Sequence, residues 1–473
     1  MDIAAILAYW ALAAWAFFGP NGRRLIHAFF VSLPFGSFAV LSPGVTGGLT
    51  LTPTPMVALL ILLRCLVRRG GLDALLTEAL ARRRMLLLFL FWVVAALITA
   101  FMPRVMAGRV DIIPFRGEML GATPLRPTAQ NVSQFAYLTI SVFVAFAFAV
   151  LLRAPGMRQC ALRALNLGAL ATVVTGALDF ASTWLPLTPL LDPFRTATYA
   201  LLVTHEVLGV KRVVGLMPEA SAFGSLAVGL LAMLWFFRRA IADRRLREVH
   251  APVLMILLAV LVWRSTSTTA YVALGLLGLL AALEWCWRAL AARRGARARQ
   301  GLGTEFAVAG ASLLVVLGLL ALAPGLFDPL VALFDKMVVH KIGSSSFEER
   351  GLWTATSWQA MLDTWGVGVG VGSTRASSSV VGVISGTGFL GALLFYAFVL
   401  QTLFRRPARG DAEGALLLRA VRWSFGPIFA TGLMIGISAD FGPLIAFLFG
   451  LAAAVARRPV ASPVSEALPT AAR

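Results

Sequence analysis

The sequence predicts an all-α, polytopic integral membrane protein, a single membrane domain over residues 1–473 with about 13 transmembrane helices (range 12–14). Hydrophobic residues make up 59% of the chain and charged residues only 13%, whereas a soluble domain usually carries about 25% charged residues. Many apolar runs also approach or exceed the roughly 18 residues that indicate a membrane span. Soluble globular folding is therefore excluded.

The apolar runs place the predicted helices in order along the chain. These helices are predicted to begin near Ile3, Leu25, Pro53, Met85, Gln134, Leu162, Ala222, Pro252, Ala270, Phe306, Val380, Trp423 and Pro443. The first run has no basic segment before it, which is unlike a cleaved signal peptide, so it is predicted to be a retained span.

The charge pattern predicts the membrane orientation. The net charge is +19, but most cations stand in short clusters that flank apolar runs, such as Arg82–Arg84, Arg238–Arg239 and Arg405–Arg406. Such clusters are typical of cytoplasmic helix ends and do not indicate a nucleic-acid partner. With these clusters inside, the N-terminus is predicted outside, and the C-terminus, with a tail over residues 459–473, in the cytoplasm.

Three external segments, residues 103–133, 185–221 and 325–379, are too long to be simple turns. The third contains the longest polar interval of the chain and holds Lys341, Arg350 and Arg375. Because cations on the outer side oppose the usual charge bias, these side chains indicate an anionic partner: a lipid head group or a phosphorylated substrate.

The second external segment carries Lys211 and Arg212, followed by Glu219 where the next helix begins. Arg212 is either an interfacial anchor for lipid phosphate or a ligand of the substrate. Glu219 is either a residue that favours the helix N-terminus through the helix dipole or an acid that takes part in catalysis. The residues alone leave both alternatives open.

In the third segment, Arg350 either pairs locally with Glu348 and Glu349 or binds a pyrophosphate in a two-pronged manner, for which the guanidinium fork is well shaped. Lys341 adds a point charge. The alternating glycines of Gly366–Gly372 lack the strand and acidic residue of a dinucleotide fingerprint. They allow close approach either to a ligand or to a neighbouring helix.

A second polar group in this segment combines Arg375 with Ser377 and its neighbouring serines, which are either helix caps or hydroxyl donors to sugar or phosphate. His340 and His205 are either structural or candidate bases. The His, Asp and Glu residues lack metal-ligand spacing, so neither a metal site nor a cofactor is predicted.

At these residues the chain resembles the O-antigen polymerase and ligase superfamily, which comprises Wzy-type polymerases and WaaL-type ligases. Three stretches carry the resemblance: SPGVTGGLTLTPTP, the segment from Arg212 to Glu219 (RVVGLMPE), and SSSFEERGLWTATSWQAMLDTWGVGVGVGSTRASS. The last is most similar to bacterial exopolysaccharide polymerases.

The resemblance implies a glycosyltransferase of the C class in the bacterial inner membrane, with a periplasmic active site. Its donor would be an undecaprenyl-pyrophosphate-linked oligosaccharide, its acceptor a glycan, and flippase and chain-length regulator proteins would be its partners. Arg212 and Arg350 match by position the arginines taken to bind pyrophosphate. Ligases of the family carry a histidine after the glycine-rich segment; here residues 373–379 contain none, which favours a polymerase.

The resulting hypothesis is a metal-independent polymerase. Arg212 and Arg350 would hold the pyrophosphate, assisted by Arg375 or Lys341, and Glu219 or a histidine would accept the proton of the acceptor hydroxyl. One alternative is a ligase that transfers the glycan to lipid A-core or another acceptor. A second is a lipid-linked glycan flippase or exporter, which would require a polar stripe through several helices.

Overall fold

The computed structural model describes residues 3–41, 49–115, 121–199, 201–203, 206–207, 210–291, 302–303, 305–306, 310 and 345–456. Over these residues the protein forms fifteen α-helices. They are α1 Ile3–Phe17, α2 Arg23–Ser32, α3 Pro53–Val67, α4 Gly71–Ala79, α5 Leu86–Val105, α6 Ala129–Leu151, α7 Met157–Ala181, α8 Thr188–Leu191, α9 Ala220–Phe237, α10 Ala251–Arg264, α11 Thr268–Ala291, α12 Ser345–Asp363, α13 Ser379–Leu403, α14 Ala412–Ile435 and α15 Gly442–Val455.

Two small antiparallel hairpins are the strands of the described chain. β1 (Asp111–Ile112) pairs with β2 (Thr123–Pro124) in the first predicted external segment. β3 (Glu206–Val207) pairs with β4 (Val210–Lys211) in the second. The all-α membrane class is therefore consistent with the structure, and the strands are confined to segments that connect helices.

Seven of the described helices, α5, α6, α7, α9, α10, α11 and α13, are long and apolar enough to cross a membrane. Helices α9 and α10 reach this length together with the short helical turns that adjoin them. Helices α1, α3 and α15 are apolar but shorter. The predicted count of thirteen spans is not confirmed, and the span predicted near Phe306 lies mostly outside the described residues.

Local sequence sets several helix boundaries. Proline lies in the first turn of α3, α10 and α15, where its fixed φ suits the helix and its missing N–H costs no hydrogen bond. Helix α6 begins with a capping box, in which Thr128 N donates to Asn131 Oδ1 at 2.9 Å. Asp411 caps α14 by accepting from Gly414 N at 2.7 Å.

One large hydrophobic core joins the helices. Helix α15 packs along α6, α2 along α7, α5 along α13, and α9 along both α14 and α10. A second, small cluster lies apart from this core and combines Met106, Val110, Ile112 and Leu125 with Ala360 and Val369. It fixes the first external segment against α12 and the glycine-rich segment, so two predicted external segments pack together.

The glycine-rich segment of residues 366–372 threads closely between helices. Its four glycines all have positive φ, between 78° and 91°, a conformation that favours glycine. A Cβ on Gly372 would lie 2.3 Å from the carbonyl oxygen of Gln130 on α6, and one on Gly368 would lie 2.6 Å from the backbone nitrogen of Gly388 on α13. Of the two alternatives left by the sequence, close helix packing is the one that these glycines serve here.

Candidate functional site

Three arginines from two distant segments gather at one end of the bundle. The charge of Arg350 acts on both Arg212 and Arg375, and the carboxylate of Glu219 acts on the same two guanidinium groups. Glu349 acts on Arg375 as well. The structure thus brings together Arg212, Glu219, Arg350 and Arg375, four of the residues that the sequence proposed as a site.

Burial disfavours the charge on two of these arginines. The pKa of Arg212 lies below its ordinary value chiefly because burial desolvates the cation, while the nearby Glu219 carboxylate acts in the opposite direction. Burial also lowers the pKa of Arg375, against the attraction of Glu349. Cations that have lost part of their hydration gain more from an anionic ligand than fully solvated ones do.

Arg212 is held by the turn between α10 and α11. Its Nε donates to Thr266 Oγ1 at 3.0 Å and to the carbonyl oxygen of Ser265 at 3.3 Å, and its Nη2 donates to the carbonyl oxygen of Thr266 at 3.0 Å. Thr266 has a φ of +45°, which is uncommon for a residue with a branched side chain. These bonds fix the orientation of the guanidinium group, and its Nη1 has no hydrogen-bond acceptor within the described part of the chain.

A buried carboxylate fixes the loop that carries Arg212. Asp179 at the end of α7 is fully buried. Its Oδ1 accepts from Arg195 Nη2 at 2.9 Å and from Lys211 Nζ at 3.0 Å. Its Oδ2 accepts from the backbone N–H groups of Val214 at 2.7 Å and Gly215 at 2.9 Å. Four donors therefore satisfy one carboxylate, as a buried charge requires.

Lys211 belongs to this buried cluster. Its ammonium donates to the carbonyl oxygen and Oδ1 of Asp179, each at 3.0 Å, and to Ser182 Oγ at 2.7 Å. A lysine ammonium has three donors, and these three acceptors occupy them. The sequence proposed Lys211 as a substrate ligand; in this structure its charge is directed at Asp179.

Glu219 occupies the N-cap position of α9, but its side chain does not cap the helix. Its carbonyl oxygen accepts from Phe223 N at 3.1 Å, as the first turn of a helix requires. Its Oε1 accepts from Ser221 Oγ. The carboxylate is half-buried and lies within electrostatic range of Arg212 and Arg375, so the helix dipole and two guanidinium groups act on it together.

One face of α12 organises the third segment. Arg350, Trp353, Thr354 and Ser357 recur at helical spacing and therefore share a face. The guanidinium of Arg375 stacks on the Trp353 ring, with Cζ 3.5 Å from its centroid. Arg350 is half-buried, and its guanidinium has no hydrogen-bond or ion-pair partner among the described residues. Of the two alternatives for Arg350, local pairing with Glu348 or Glu349 is not formed as a salt bridge.

The segment that carries Arg375 is tied to its surroundings through its backbone. Arg375 N donates to the carbonyl oxygen of Ile113 at 2.9 Å, and the Arg375 carbonyl oxygen accepts from Ser357 Oγ at 3.1 Å. Ser377 N donates to Thr354 Oγ1 at 3.3 Å. The Arg375 Nε is buried without a hydrogen-bond partner in the part of the chain that is described. Ser377 itself is half-buried beside this group.

Two predicted ligands, His340 and Lys341, lie outside the described residues, as does His205. Among the residues that are described, no group of three His, Cys, Asp or Glu side chains is arranged to hold a metal ion.

The short external turn that begins at Arg264 is rich in Ser and Thr and adds a cation to the outer face, but Arg264 was not among the predicted site residues. Arg264 lies on the same α10–α11 turn as Thr266, stacks over Phe180 with Cζ 4.5 Å from the ring centroid, and has a buried Nε without a partner in the described chain. Its carbonyl oxygen accepts from Val213 N at 3.1 Å, next to Arg212.

Comparison with known proteins assigns no function to this chain, so a function has to be argued from the geometry of the arginine group. No protein-family model matches this chain, and no curated protein matches it either.

Proposed function

We propose that the arginine-rich end of the bundle binds the pyrophosphate of a polyprenyl-linked glycan and that the protein is a polysaccharide polymerase, either of O-antigen or of exopolysaccharide. The observation that carries this proposal is the gathering of Arg212, Arg350 and Arg375 from two distant segments, in which Arg350 has no anionic partner among the described residues. Structural arginines at helix ends normally have a carboxylate or carbonyl partner.

The charge of this group suits the proposed ligand. Arg212, Arg350 and Arg375 face two carboxylates, Glu219 and Glu349, which leaves one positive charge in excess. A pyrophosphate that joins a glycan to a polyprenyl chain is doubly negative, so it supplies the counter-charge that the two carboxylates leave unmet. Guanidinium groups suit this ligand because each presents parallel N–H donors to two phosphate oxygens.

The reaction follows from the placement of these groups. The hydroxyl oxygen of the acceptor glycan attacks the anomeric carbon of the donor, the bond between that carbon and the phosphate oxygen breaks, and the lipid pyrophosphate leaves with the electron pair. Arg350, Arg375 and the free Nη1 of Arg212 stabilise the charge that develops on the leaving group. Glu219, whose Oε2 has no acceptor role in the described contacts, accepts the hydroxyl proton.

In this proposal the protein is placed in a bacterial inner membrane, with the site and the N-terminus on the periplasmic side and the C-terminus in the cytoplasm. The acceptor is the next lipid-linked repeat unit, so the polymer grows on its lipid carrier. Membrane lipid surrounds the helices, and the flippase that delivers repeat units and a chain-length regulator are the proposed protein partners. His340 and Lys341 keep their proposed roles as further ligands from the same segment.

The test is the glycan profile of cells that lack the protein and are complemented with Arg212→Ala, Arg350→Ala, Arg350→Lys or Arg126→Ala. Arg126 is an exposed arginine of the first external segment and serves as the matched control. Removing one charge-stabilising donor from an active site costs about 100-fold to 1,000-fold in rate. We expect single repeat units to accumulate on lipid in the Arg212→Ala and Arg350→Ala cells, and polymer to persist in the control.

Arg350→Lys keeps the charge but loses the fork, so its polymer yield should fall between those of wild type and Arg350→Ala. Membrane levels of each variant are compared by immunoblotting. Long polymer that stays on its lipid carrier in the deletion strain would instead identify a ligase. Repeat units that remain on the cytoplasmic side would identify a flippase. Normal polymer in both alanine variants would show that these arginines are interfacial anchors.

A further inference from the structure

A second group of arginines lies at the other end of the bundle. Helix α9 and the helical turn after it lead from Glu219 at the proposed site to Arg239, a path of about 30 Å at 1.5 Å per residue, which is the thickness of a bilayer's hydrocarbon core. There a small, open cavity is lined by Phe236, Arg239, Glu284, Arg288, Arg419 and Trp423, among others. These residues lie at the end of α9, in the turn that follows it, and on α11 and α14.

The cavity is rich in positive charge. Glu284 accepts from Arg239 at 2.7 Å and from Arg288 at 3.0 Å. Glu305 pairs with Arg238 at 2.6 Å, with Arg239 at 3.2 Å and with Arg288. Two carboxylates are thus shared by three arginines, which already leaves one positive charge in excess. The Nε of Arg239 is also buried without a hydrogen-bond partner in the described chain.

Arg419 adds a further positive charge to the cavity wall. Its guanidinium stacks on Trp287, with Cζ 4.5 Å from the ring centroid. No described residue accepts a hydrogen bond from it, and it lies within electrostatic range of Glu284, Arg239 and Arg288. The charged cluster therefore combines four arginines with two glutamates; Arg239, Arg288, Arg419 and Glu284 line the cavity itself, and Arg419 presents unengaged donors to it.

The apolar residues of the cavity indicate the rest of the ligand. The rings of Phe236 and Trp423 stack along its wall with centroids 6.1 Å apart. On α11, Leu283 and Trp287 are exposed apolar side chains beside the charged group, on a helix that is long enough to cross the membrane. A ligand with an anionic head and hydrocarbon chains satisfies both parts of this surface.

We propose that this cavity binds the phosphate head group of an anionic phospholipid from the leaflet opposite the proposed site. Basic pockets between membrane helices are suited to such head groups. Arg419 and Arg239 donate to the phosphate oxygens, and the acyl chains lie along the exposed apolar face of α11. This binding does not depend on glycosyl transfer, so it stands or falls separately from the proposed function.

The test uses the full-length protein in a mild detergent and follows its thermal unfolding as lipid is added. Phosphatidylglycerol is compared with phosphatidylcholine of the same acyl chains and with inorganic phosphate. We expect phosphatidylglycerol alone to raise the unfolding midpoint, since a ligand of the folded state stabilises it. Arg419→Gln should raise the half-saturating lipid concentration at least about tenfold, as loss of one charge-assisted hydrogen bond implies.

Arg244→Gln is the matched control, because its side chain is 84% exposed near the same end of the bundle; it should behave as wild type. Arg419→Lys should bind within a few-fold of wild type, and Ala420→Leu, which fills the cavity with every charge intact, should weaken binding if Arg419→Gln does not fold. Equal stabilisation by the two lipids would overturn the proposal. So would a shift that inorganic phosphate reproduces, because the ligand would then be a free anion.

Discussion

The buried carboxylate of Asp179 should be the largest single electrostatic contributor to the fold around the candidate site. It is fully buried and accepts four hydrogen bonds, two from the cations Arg195 and Lys211 and two from backbone N–H groups. Asp179→Asn keeps the shape of the side chain but removes its charge. It also places an NH2 group where an oxygen now stands.

The magnitude follows from these contacts. Hydrogen bonds to charged groups contribute about 1.5–3 kcal/mol each, and removing one partner of a buried ion pair costs about 3–5 kcal/mol. With the asparagine oxygen directed at Arg195 and Lys211, its NH2 group would oppose the N–H groups of Val214 and Gly215. We therefore expect Asp179→Asn to lower the free energy of unfolding by about 3–5 kcal/mol.

The measurement is denaturation of the purified full-length protein in detergent, followed by tryptophan fluorescence. Asp192→Asn is the matched control, because Asp192 also pairs with Arg195 but at 3.9 Å and with a side chain that is 61% exposed. Such an exposed pair contributes about 0–1 kcal/mol. Equal, small effects of the two substitutions would refute the reasoning, since burial would then not distinguish the two carboxylates.

Three further predictions concern other parts of the structure. Gly372→Ala should destabilise the fold by at least about 3 kcal/mol, because the added Cβ would clash with α6. Gly410→Ala should cost only about 1 kcal/mol, because Gly410 has a φ of +79° but open space around it. Denaturation compares the stability of the two variants. Burial lowers the pKa of Arg405 to about 9, below its value in the unfolded chain, so stability should rise as the pH increases above about 9. Arg405→Met should remove this dependence and raise the unfolding midpoint at pH 7. Thermal unfolding at pH 7 and at a pH above about 9 checks both expectations. Thr266→Val removes one acceptor of Arg212 and should lower polymer yield a few-fold at unchanged protein level, as measured by the glycan profile and immunoblotting.

Helix positions could be predicted from the sequence because each depends on a local pattern. Twelve of the thirteen predicted helix starts fall within a described helix or one residue before it, and the seven near Met85, Gln134, Leu162, Ala222, Pro252, Ala270 and Val380 correspond to the seven long apolar helices. Shorter runs were harder to interpret. Helix α2 has only 10 residues, and an apolar run alone does not show how far a helix extends.

The different contacts of two adjacent residues show what the sequence could not supply. Lys211 and Arg212 stand side by side, and both were proposed as external cations that bind the substrate. Because side chains alternate along extended chain, the two point to opposite sides: Lys211 contacts Asp179, and Arg212 contacts the turn at Thr266. Asp179 is 32 residues distant from Lys211, so no local pattern could have linked them.

The contrast between two groups of arginines gives a physical criterion for which arginines bind a ligand. In the first group, Glu78 forms salt bridges with both Arg84 and Arg153, so these arginines have a counter-charge within the fold. At the proposed site, Glu349 and Glu219 act on the arginines only through space, and Arg350 has no salt bridge in the described chain. The distribution of charge along the sequence does not distinguish arginines that form salt bridges within the fold from arginines that do not. Only the contacts separate a cation that stabilises the fold from one whose counter-charge must come from a ligand.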